Sequence, residues 1–276
     1  MRVVKAEEMG ICIGIKRAFA MVEDVWRNNG GRPLFVYGDI AHNQHVIDTI
    51  REHGFKTIHS ASEAPKGSIV VIRAHGISDE ERRILNERGV VIVDATCPLV
   101  KKNQDMMRSS ELDVLLLGIK GHSETVAVEG AARRKYYVIQ DAGDLDCVPN
   151  DRKYRVIVQT TLESSRYGKL VDELDRRGFS YIVSNSICMA SEKRREAVHL
   201  MKGRVPFLYV IGDRKSANSN ALVSEALSIG LPSSLIEDQD SIDEDFIRQF
   251  DLVGISAGSS TPDSVINKVV RRLEEL

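Results

Sequence analysis

The stretch Val90-Val91-Ile92-Val93-Asp94-Ala95-Thr96-Cys97-Pro98-Leu99-Val100 decides the fold. Its first residues, Val90–Asp94, are a short β-rich run, which reads as a strand. Its last three open a helix, with proline at a first-turn position, where a missing N–H costs nothing. Cys97 stands in the turn between the two. A strand that feeds a helix through a short turn is one half of a βαβ unit.

Outward from this stretch the pattern recurs. Cys188 follows the run Tyr181–Ser184 and precedes a helix near Ser191, and Cys12 precedes a helix that starts near Gly14. Cys12 and Cys97 are 85 residues apart, Cys97 and Cys188 are 91 apart, and 88 more lead to Leu276. Cys147 does not fit the spacing. It lies beside Asp146 in a loop-like stretch and reads as structural.

Each third holds alternating elements. The first has β-rich runs at Leu34–Tyr37, Ser68–Arg73 and Val90–Asp94, with helical patterns at Gly14–Asn28, Asn43–His53 and Ser78–Arg88. The middle third has runs at Leu112–Gly118, Tyr136–Gln140, Arg155–Gln159 and Tyr181–Ser184. Its helices are expected after Cys97 and near Glu124–Arg133 and Leu162–Arg177. The last has runs at Phe207–Gly212, Ser234–Glu237 and Leu252–Ser256, with helices near Ser191–Lys202, Asn218–Ile229 and Pro262–Glu275. Alternation of this kind predicts an α/β fold of three small lobes with mostly parallel sheets. The lobes are expected at 13–97, 98–188 and 189–276, with a strand from 1–12 returning to the last. Without Pro/Ser-rich linkers, they should pack tightly, in a pseudo-threefold arrangement that could bring three thiolates to one point.

Composition narrows the class. At 276 residues, about two domains is the soft expectation, with one or three allowed. Apolar residues at 42%, with 20 glycines, give a globular average rather than a disordered chain. The 38 basic and 40 acidic residues nearly cancel, so a dedicated nucleic-acid binder is not expected. No apolar run approaches the roughly 20 residues of a membrane helix, and Met1-Arg2-Val3-Val4-Lys5 lacks the apolar core of an export signal. A soluble cytoplasmic protein is expected, and with it reduced thiols. The four cysteines form no CxxC pair, which excludes zinc-ribbon and thioredoxin-type motifs.

Three thiolates with no fourth partner suggest a metal site with an open position. Catalytic zinc is one possibility. A [4Fe-4S] cluster is the other: it normally takes four thiolates, so three leave one iron free to act as a Lewis acid. The polar turns speak to the substrate. Ala41-His42-Asn43, Arg73-Ala74-His75-Gly76, Gly121-His122-Ser123-Glu124, Gln159-Thr160-Thr161, Lys215-Ser216-Ala217-Asn218 and Ser259-Ser260-Thr261 all follow expected strands. They lie on the face where open α/β sheets bind ligands. Ser, Thr and Asn there can simply cap helices. Three histidines at equivalent turns, beside Ser/Asn turns, point instead to a diphosphate pocket. Glu124 is the one carboxylate of the set and can serve as proton donor, or only as a first-turn acid favoured by the helix dipole.

The stretches Cys12-Ile13-Gly14-Ile15-Lys16-Arg17-Ala18, Arg73-Ala74-His75-Gly76, Asp94-Ala95-Thr96-Cys97-Pro98-Leu99-Val100, Gly121-His122-Ser123-Glu124, Gln159-Thr160-Thr161, Ile187-Cys188 and Asn218-Ser219-Asn220 occur in the order found in a known family. Over essentially its whole length the chain resembles the 4-hydroxy-3-methylbut-2-enyl diphosphate reductases, the last enzymes of the non-mevalonate isoprenoid pathway. The resemblance implies a three-lobed α/β fold around a central [4Fe-4S] cluster held by Cys12, Cys97 and Cys188. It implies reductive removal of an allylic hydroxyl, bound at the unique iron, to give isopentenyl and dimethylallyl diphosphates. Glu124 would donate the proton, with Thr160 and His122 completing the relay. His42, His75, His122, Thr160, Ser216, Asn218 and Ser260 would hold substrate, and Ala217, where a second serine is common, could contribute only its backbone. Further departures are Ser123 for a common proline, Met189-Ala190-Ser191 where Ala-Thr is commoner, and Gln104 for a common histidine. None touches the cysteines or Glu124.

Basic residues follow each of the three cysteines: Lys16 and Arg17, Lys101 and Lys102, Lys193, Arg194 and Arg195. A ring of these would suit an acidic electron carrier such as ferredoxin or flavodoxin. Competing readings are a quinolinate-synthase-like cluster dehydratase, a non-catalytic iron–sulfur protein and a zinc hydrolase.

Overall fold

The structure, a computed structural model, describes residues 1–40, 43–184 and 186–276. His42, expected to hold substrate, lies outside the described residues, as do the side chains of His45 and Ala217.

Three four-stranded sheets carry the fold, and every strand pair in them is parallel. The strands in chain order are β1 (Arg2–Lys5), β2 (Leu34–Tyr37), β3 (Lys56–Ile58), β4 (Ile69–Ile72), β5 (Val91–Asp94) and β6 (Asp113–Leu117). They continue with β7 (Tyr136–Ile139), β8 (Lys153–Val158), β9 (Ser180–Ser184), β10 (Leu208–Ile211), β11 (Ser233–Ile236) and β12 (Leu252–Ala257). One sheet runs β3-β2-β4-β5, the next β7-β6-β8-β9, and the third β11-β10-β12-β1. The order is the same each time. The first strand of a lobe has the second on one side and the third and fourth on the other. The fourth strand of the last lobe is β1, from the beginning of the chain, with Arg2 to Lys5 in register with Leu252 to Ile255.

The inner strands explain why the sequence shows continuous apolar runs. β4, β10 and most of β6 are buried along their length, because helices cover both sheet faces. In the last lobe Tyr209 and Ile211 pack with Val265 and Val269 of α10 (Asp263–Glu275). Leu208 and Val210 point the other way, onto Val198 of α7 (Met189–His199) and Leu222 of α8 (Ala217–Ser228). In the middle lobe Leu115 and Leu117 meet Leu170 and Leu174 of α6 (Ser164–Arg176). Val114 and Leu116 meet Val100 and Met107 of α4 (Pro98–Ser109) and Val128 of α5 (Ser123–Glu129). The remaining helices are α1 (Ile13–Asn28), α2 (Gln44–Glu52), α3 (Asp79–Glu87) and α9 (Glu244–Ile247).

The expected elements are present, with differences that have physical causes. β3 leaves no periodic signal in the sequence, because three residues are too few. α5 stops at Glu129, short of the expected Arg133, where Gly130 forms the helix end. An alanine at Gly130 would bring its Cβ within 2.2 Å of the Ser78 Cβ, so the glycine lets the loop before α3 press against the end of α5.

The chain packs as two compact units: residues 1–16, 39–53 and 189–276 in one, and 17–38 and 54–188 in the other. Among the described residues no helix is long and apolar enough to cross a membrane.

Candidate functional site

The repeated strand order places the polar turns. In each lobe the chain order reverses between the first strand and the third, and the crevice at such a switch point is where α/β sheets take ligands. The turns after first strands hold His122 and Glu124, after β6, and Ser216 and Asn218, after β10. The turns after third strands hold His75, after β4, Thr160, after β8, and Ser260, after β12. Every fourth strand leads to a cysteine: β1 to Cys12, β5 to Cys97 and β9 to Cys188. The turns after second strands carry none of these residues.

In the unit of residues 17–38 and 54–188, Glu124 and Thr160 form the best-defined part of the site. Glu124 is 1% exposed, in the first turn of α5. The Thr160 N–H donates to its Oε1 at 2.6 Å, and the Thr160 hydroxyl to its Oε2 at 2.8 Å. Burial pushes the Glu124 carboxyl up to about 7, against the lowering effect of the two Thr160 hydrogen bonds. A carboxyl so poised can hold or release a proton near neutrality. The Thr160 carbonyl accepts the Cys188 N–H at 2.6 Å, so the Cys188 turn is fastened to the same strand end.

His122 caps α5: its Nδ1 accepts the Glu124 N–H at 3.2 Å. That bond assigns the ring proton of the neutral imidazole to Nε2. Its ring meets His75 edge-on, at 5.7 Å between centroids. Gln159 ties the turns together, its Oε1 accepting from the Ile119 N–H and the Thr125 hydroxyl and its Nε2 donating to the Thr161 hydroxyl.

Two side chains that sequence reasoning undervalued hold this arrangement. Gln104 Nε2 donates to the carbonyls of Ile77, at 2.8 Å, and Ala127, at 2.9 Å, so it staples the His75 loop to α5. Asn103 Nδ2 donates to the Val158 carbonyl at 2.8 Å, which also accepts the Ser186 hydroxyl at 2.9 Å. Asn103 lies on the helix that starts after Cys97, and Ser186 just before Cys188. Their periodicity alone could have flagged them: both Asn103 and Gln104 are polar residues on the buried side of an amphipathic helix.

Asp94 shapes the Cys97 turn. Its Oδ1 accepts the Thr96 N–H at 3.1 Å and the Thr96 hydroxyl at 2.5 Å, and the Cys97 N–H reaches the Ala74 carbonyl at 2.9 Å. Burial alone would raise the Asp94 carboxyl, but the Thr96 hydroxyl, Arg82 and Lys101 outweigh it and hold it at about 2.

In the unit of residues 1–16, 39–53 and 189–276, the Cys12 N–H donates to the Ser259 carbonyl at 3.1 Å, and the Ser259 N–H to Asn218 Oδ1 at 2.9 Å. Cys12, Ser260 and Asn218 are therefore linked through one short segment. The Cys12 Sγ accepts the Ile15 N–H at 3.5 Å, in the first turn of α1. Ser216 caps α8, its hydroxyl accepting the Ser219 N–H. Gly212 and Gly258 leave room beside it: a Cβ at either would fall 2.1 Å from the Ser219 Oγ, which would have to turn away.

None of the four cysteines is disulfide-bonded; Cys12, Cys97 and Cys188 are half-buried and Cys147 is exposed. Among the described residues, no three His, Cys, Asp or Glu side chains gather closely enough to hold a metal ion. The basic residues divide. Lys16, Arg17, Lys101, Lys102 and Lys193 are exposed, although Lys101 pairs with Asp94 at 3.2 Å and Arg17 donates to the Thr96 carbonyl at 3.1 Å. Arg194, expected on the exposed ring, is instead 3% exposed: its guanidinium turns inward to the carbonyls of Gly10 and Ala190.

The family model for LytB protein matches residues 3–274. The chain belongs to the LytB family. LytB relatives include 4-hydroxy-3-methylbut-2-enyl diphosphate reductases from Escherichia coli O9:H4 (strain HS) and Chlamydia trachomatis serovar L2. Each is 33% identical over the whole of this chain, which spans 90% and 92% of their lengths. The solved E-1-hydroxy-2-methyl-but-2-enyl-4-diphosphate reductase from Plasmodium falciparum superposes with a TM-score of 0.86 at 26% identity, over 98% of this chain and 87% of that one. A solved (E)-4-hydroxy-3-methyl-but-2-enyl diphosphate reductase gives 0.81 at 28% identity, over the whole of both. This LytB chain is an enzyme, an oxidoreductase with the three-lobed fold of those reductases.

Proposed function

We propose that the chain reduces 4-hydroxy-3-methylbut-2-enyl diphosphate to isopentenyl and dimethylallyl diphosphates. The allylic C–O bond breaks, a C–H bond forms, and the hydroxyl leaves as water, so two electrons and two protons are consumed. The observation that carries the reading is the Glu124–Thr160 pair, a buried carboxyl poised near neutrality at a strand end that also fastens the Cys188 turn.

The donor set fits an iron–sulfur cluster: three thiols outside any disulfide, each leading into a helix N-terminus, with Cys147 standing apart. Cys12, Cys97 and Cys188 would hold a [4Fe-4S] cluster. Bound there, it would supply electrons and a Lewis-acidic iron for an alcohol oxygen. The protein residues do the rest. Glu124 in its protonated form gives a proton, through the Thr160 hydroxyl, which can accept from Glu124 and donate onward. The Nε2–H of His122 binds an anionic or hydroxylic oxygen. His42, His75, Ser216, Asn218 and Ser260, with the Ala217 backbone, hold the diphosphate, whose binding energy fixes the reacting carbon. The lobe boundaries proposed are 13–97, 98–188 and 189–276 with 1–12, following the repeated strand order.

For the electron donor we propose an acidic ferredoxin- or flavodoxin-like protein docking on exposed Lys16, Arg17, Lys101, Lys102 and Lys193. Lys102→Glu and Lys193→Glu should slow turnover with such a donor, most at low salt, and spare turnover with a reduced viologen. Equal loss with both reductants rejects the docking. The reaction itself is tested by anaerobic assay of the hydroxylated diphosphate with reduced viologen, comparing the native protein with Glu124→Gln. Native turnover with the variant at least a hundredfold slower is expected. A native protein without turnover, or a variant equally active, overturns the assignment.

A further inference from the structure

Arg194 carries a buried positive charge. It is 3% exposed. Its Nη2 donates to the Gly10 carbonyl at 2.6 Å and its Nη1 to the Ala190 carbonyl at 2.7 Å, while its Nε is buried with no partner. Among the described residues no carboxylate pairs with it. Buried charges are normally paired, because an ion removed from water is costly unless an opposite charge replaces the solvent. Two neutral carbonyls satisfy hydrogen bonds but leave the charge uncompensated.

Its position suggests the missing anion. Gly10 is two residues before Cys12, and two residues of chain reach at most about 7 Å. α7, which carries Arg194, starts one residue after Cys188. Gly10 has a positive φ, and a Cβ there would meet Ile266 Cδ1 at 2.9 Å, so the backbone that Arg194 grips is itself fixed by packing. One guanidinium thus joins the segment before one cysteine to the helix after another.

We propose that Arg194 is a positioning residue that supplies the counter-charge of the thiolate-bound cluster and makes its reduction easier. The proposal rests on the cluster reading above. Accepting one electron from a reduced carrier adds one negative charge to the cluster, with no proton needed at that step. A buried cation nearby favours the reduced form. A unit charge on the order of 10 Å away, in surroundings of effective permittivity about 20, changes such an equilibrium more than tenfold.

The test uses anaerobically reconstituted protein with Arg194→Gln and Arg194→Lys. Iron and sulfide per chain are counted, and the cluster is titrated spectroscopically with dithionite against dyes of known potential. In Arg194→Gln the reduction equilibrium should weaken at least tenfold, a midpoint lower by about 59 mV for a one-electron couple. Arg194→Lys should stay near the native midpoint. If the glutamine variant folds but takes up less iron, and lysine restores uptake, the counter-charge role is supported. A glutamine variant loaded fully with an unchanged midpoint overturns it. So does a glutamine variant that fails to fold, or a lysine variant as impaired as glutamine, since Arg194 would then act by its shape. If the native protein itself holds no iron and sulfide, it is the cluster reading that fails.

Discussion

Glu124 shows how one side chain can couple stability to pH. Its carboxyl, ordinarily near 4.5, is pushed up to about 7 by burial. A group raised in this way favours the folded state in its protonated form. That contribution is complete below about pH 4.5 and is lost as pH rises through 7. At about 1.4 kcal/mol per pKa unit, the native protein should lose about 3 kcal/mol between pH 4.5 and 8 from this residue. Glu124→Gln keeps the acceptor oxygen for Thr160 but cannot ionise. Denaturant unfolding of cluster-free protein should therefore show the variant gaining on the native chain as pH rises. Parallel pH profiles for the two would mean that Glu124 is not buried in this way. Thr160→Val removes the hydroxyl that lowers the Glu124 carboxyl while keeping the N–H bond, so the Glu124 titration should move further up and turnover should fall. Turnover unchanged in that variant would remove the hydroxyl from the proton path.

At the scale of elements, helix α8 meets the ends of strands β10 and β12 where Ser219 lies close against Gly212 and Gly258. A Cβ on Gly258 would fall 2.1 Å from the Ser219 Oγ and 3.2 Å from the Ser219 Cβ. Gly258→Ala should destabilise the chain by about 2 kcal/mol, within the usual range for overpacking. Ser219→Gly should relieve much of it, because the nearest remaining Ser219 atom, Cα, is 3.5 Å away. A double-mutant cycle measures the coupling, and additive effects would deny the contact. Gln104→Leu tests the other staple. It leaves two buried carbonyls without a donor, at about 1–3 kcal/mol each. Destabilisation in denaturant melts with a raised KM is expected, as the His75 loop loosens from α5. A KM at the native value would separate Gln104 from the site. These contacts were not legible in the sequence. A glycine reads as a turn or a breaker, and what approaches it is decided by tertiary packing. The strands were legible because parallel sheets covered on both faces demand unbroken apolar runs. The burial of Arg194 is hidden in the sequence for a related reason. A charged residue on a polar helix looks solvated until the fold supplies two backbone carbonyls to receive it.

Across the whole molecule, one strand order used three times gives three distant cysteines the same place in the topology. In each lobe the fourth strand flanks the third, and the chain leaving it passes through a cysteine into the next helix. The repeat was visible in the sequence as cysteine spacing, and β1 completes it by pairing with β12. Cys147 follows no fourth strand. It belongs to a short 3-10 segment (Ala142–Cys147) and is exposed. The topology therefore predicts a division that simple thiol accessibility does not. Alanine at Cys12, Cys97 or Cys188 should each strip most iron and sulfide from anaerobically isolated protein, whereas Cys147→Ala should retain the native content, although Cys147 is the most exposed of the four. Because all four are single small substitutions, thermal melts of the cluster-free forms should differ little, which separates loss of ligation from loss of fold. Iron retained in full by any one of the first three variants, with the other two depleted, would break the threefold equivalence and require a different ligand in that lobe.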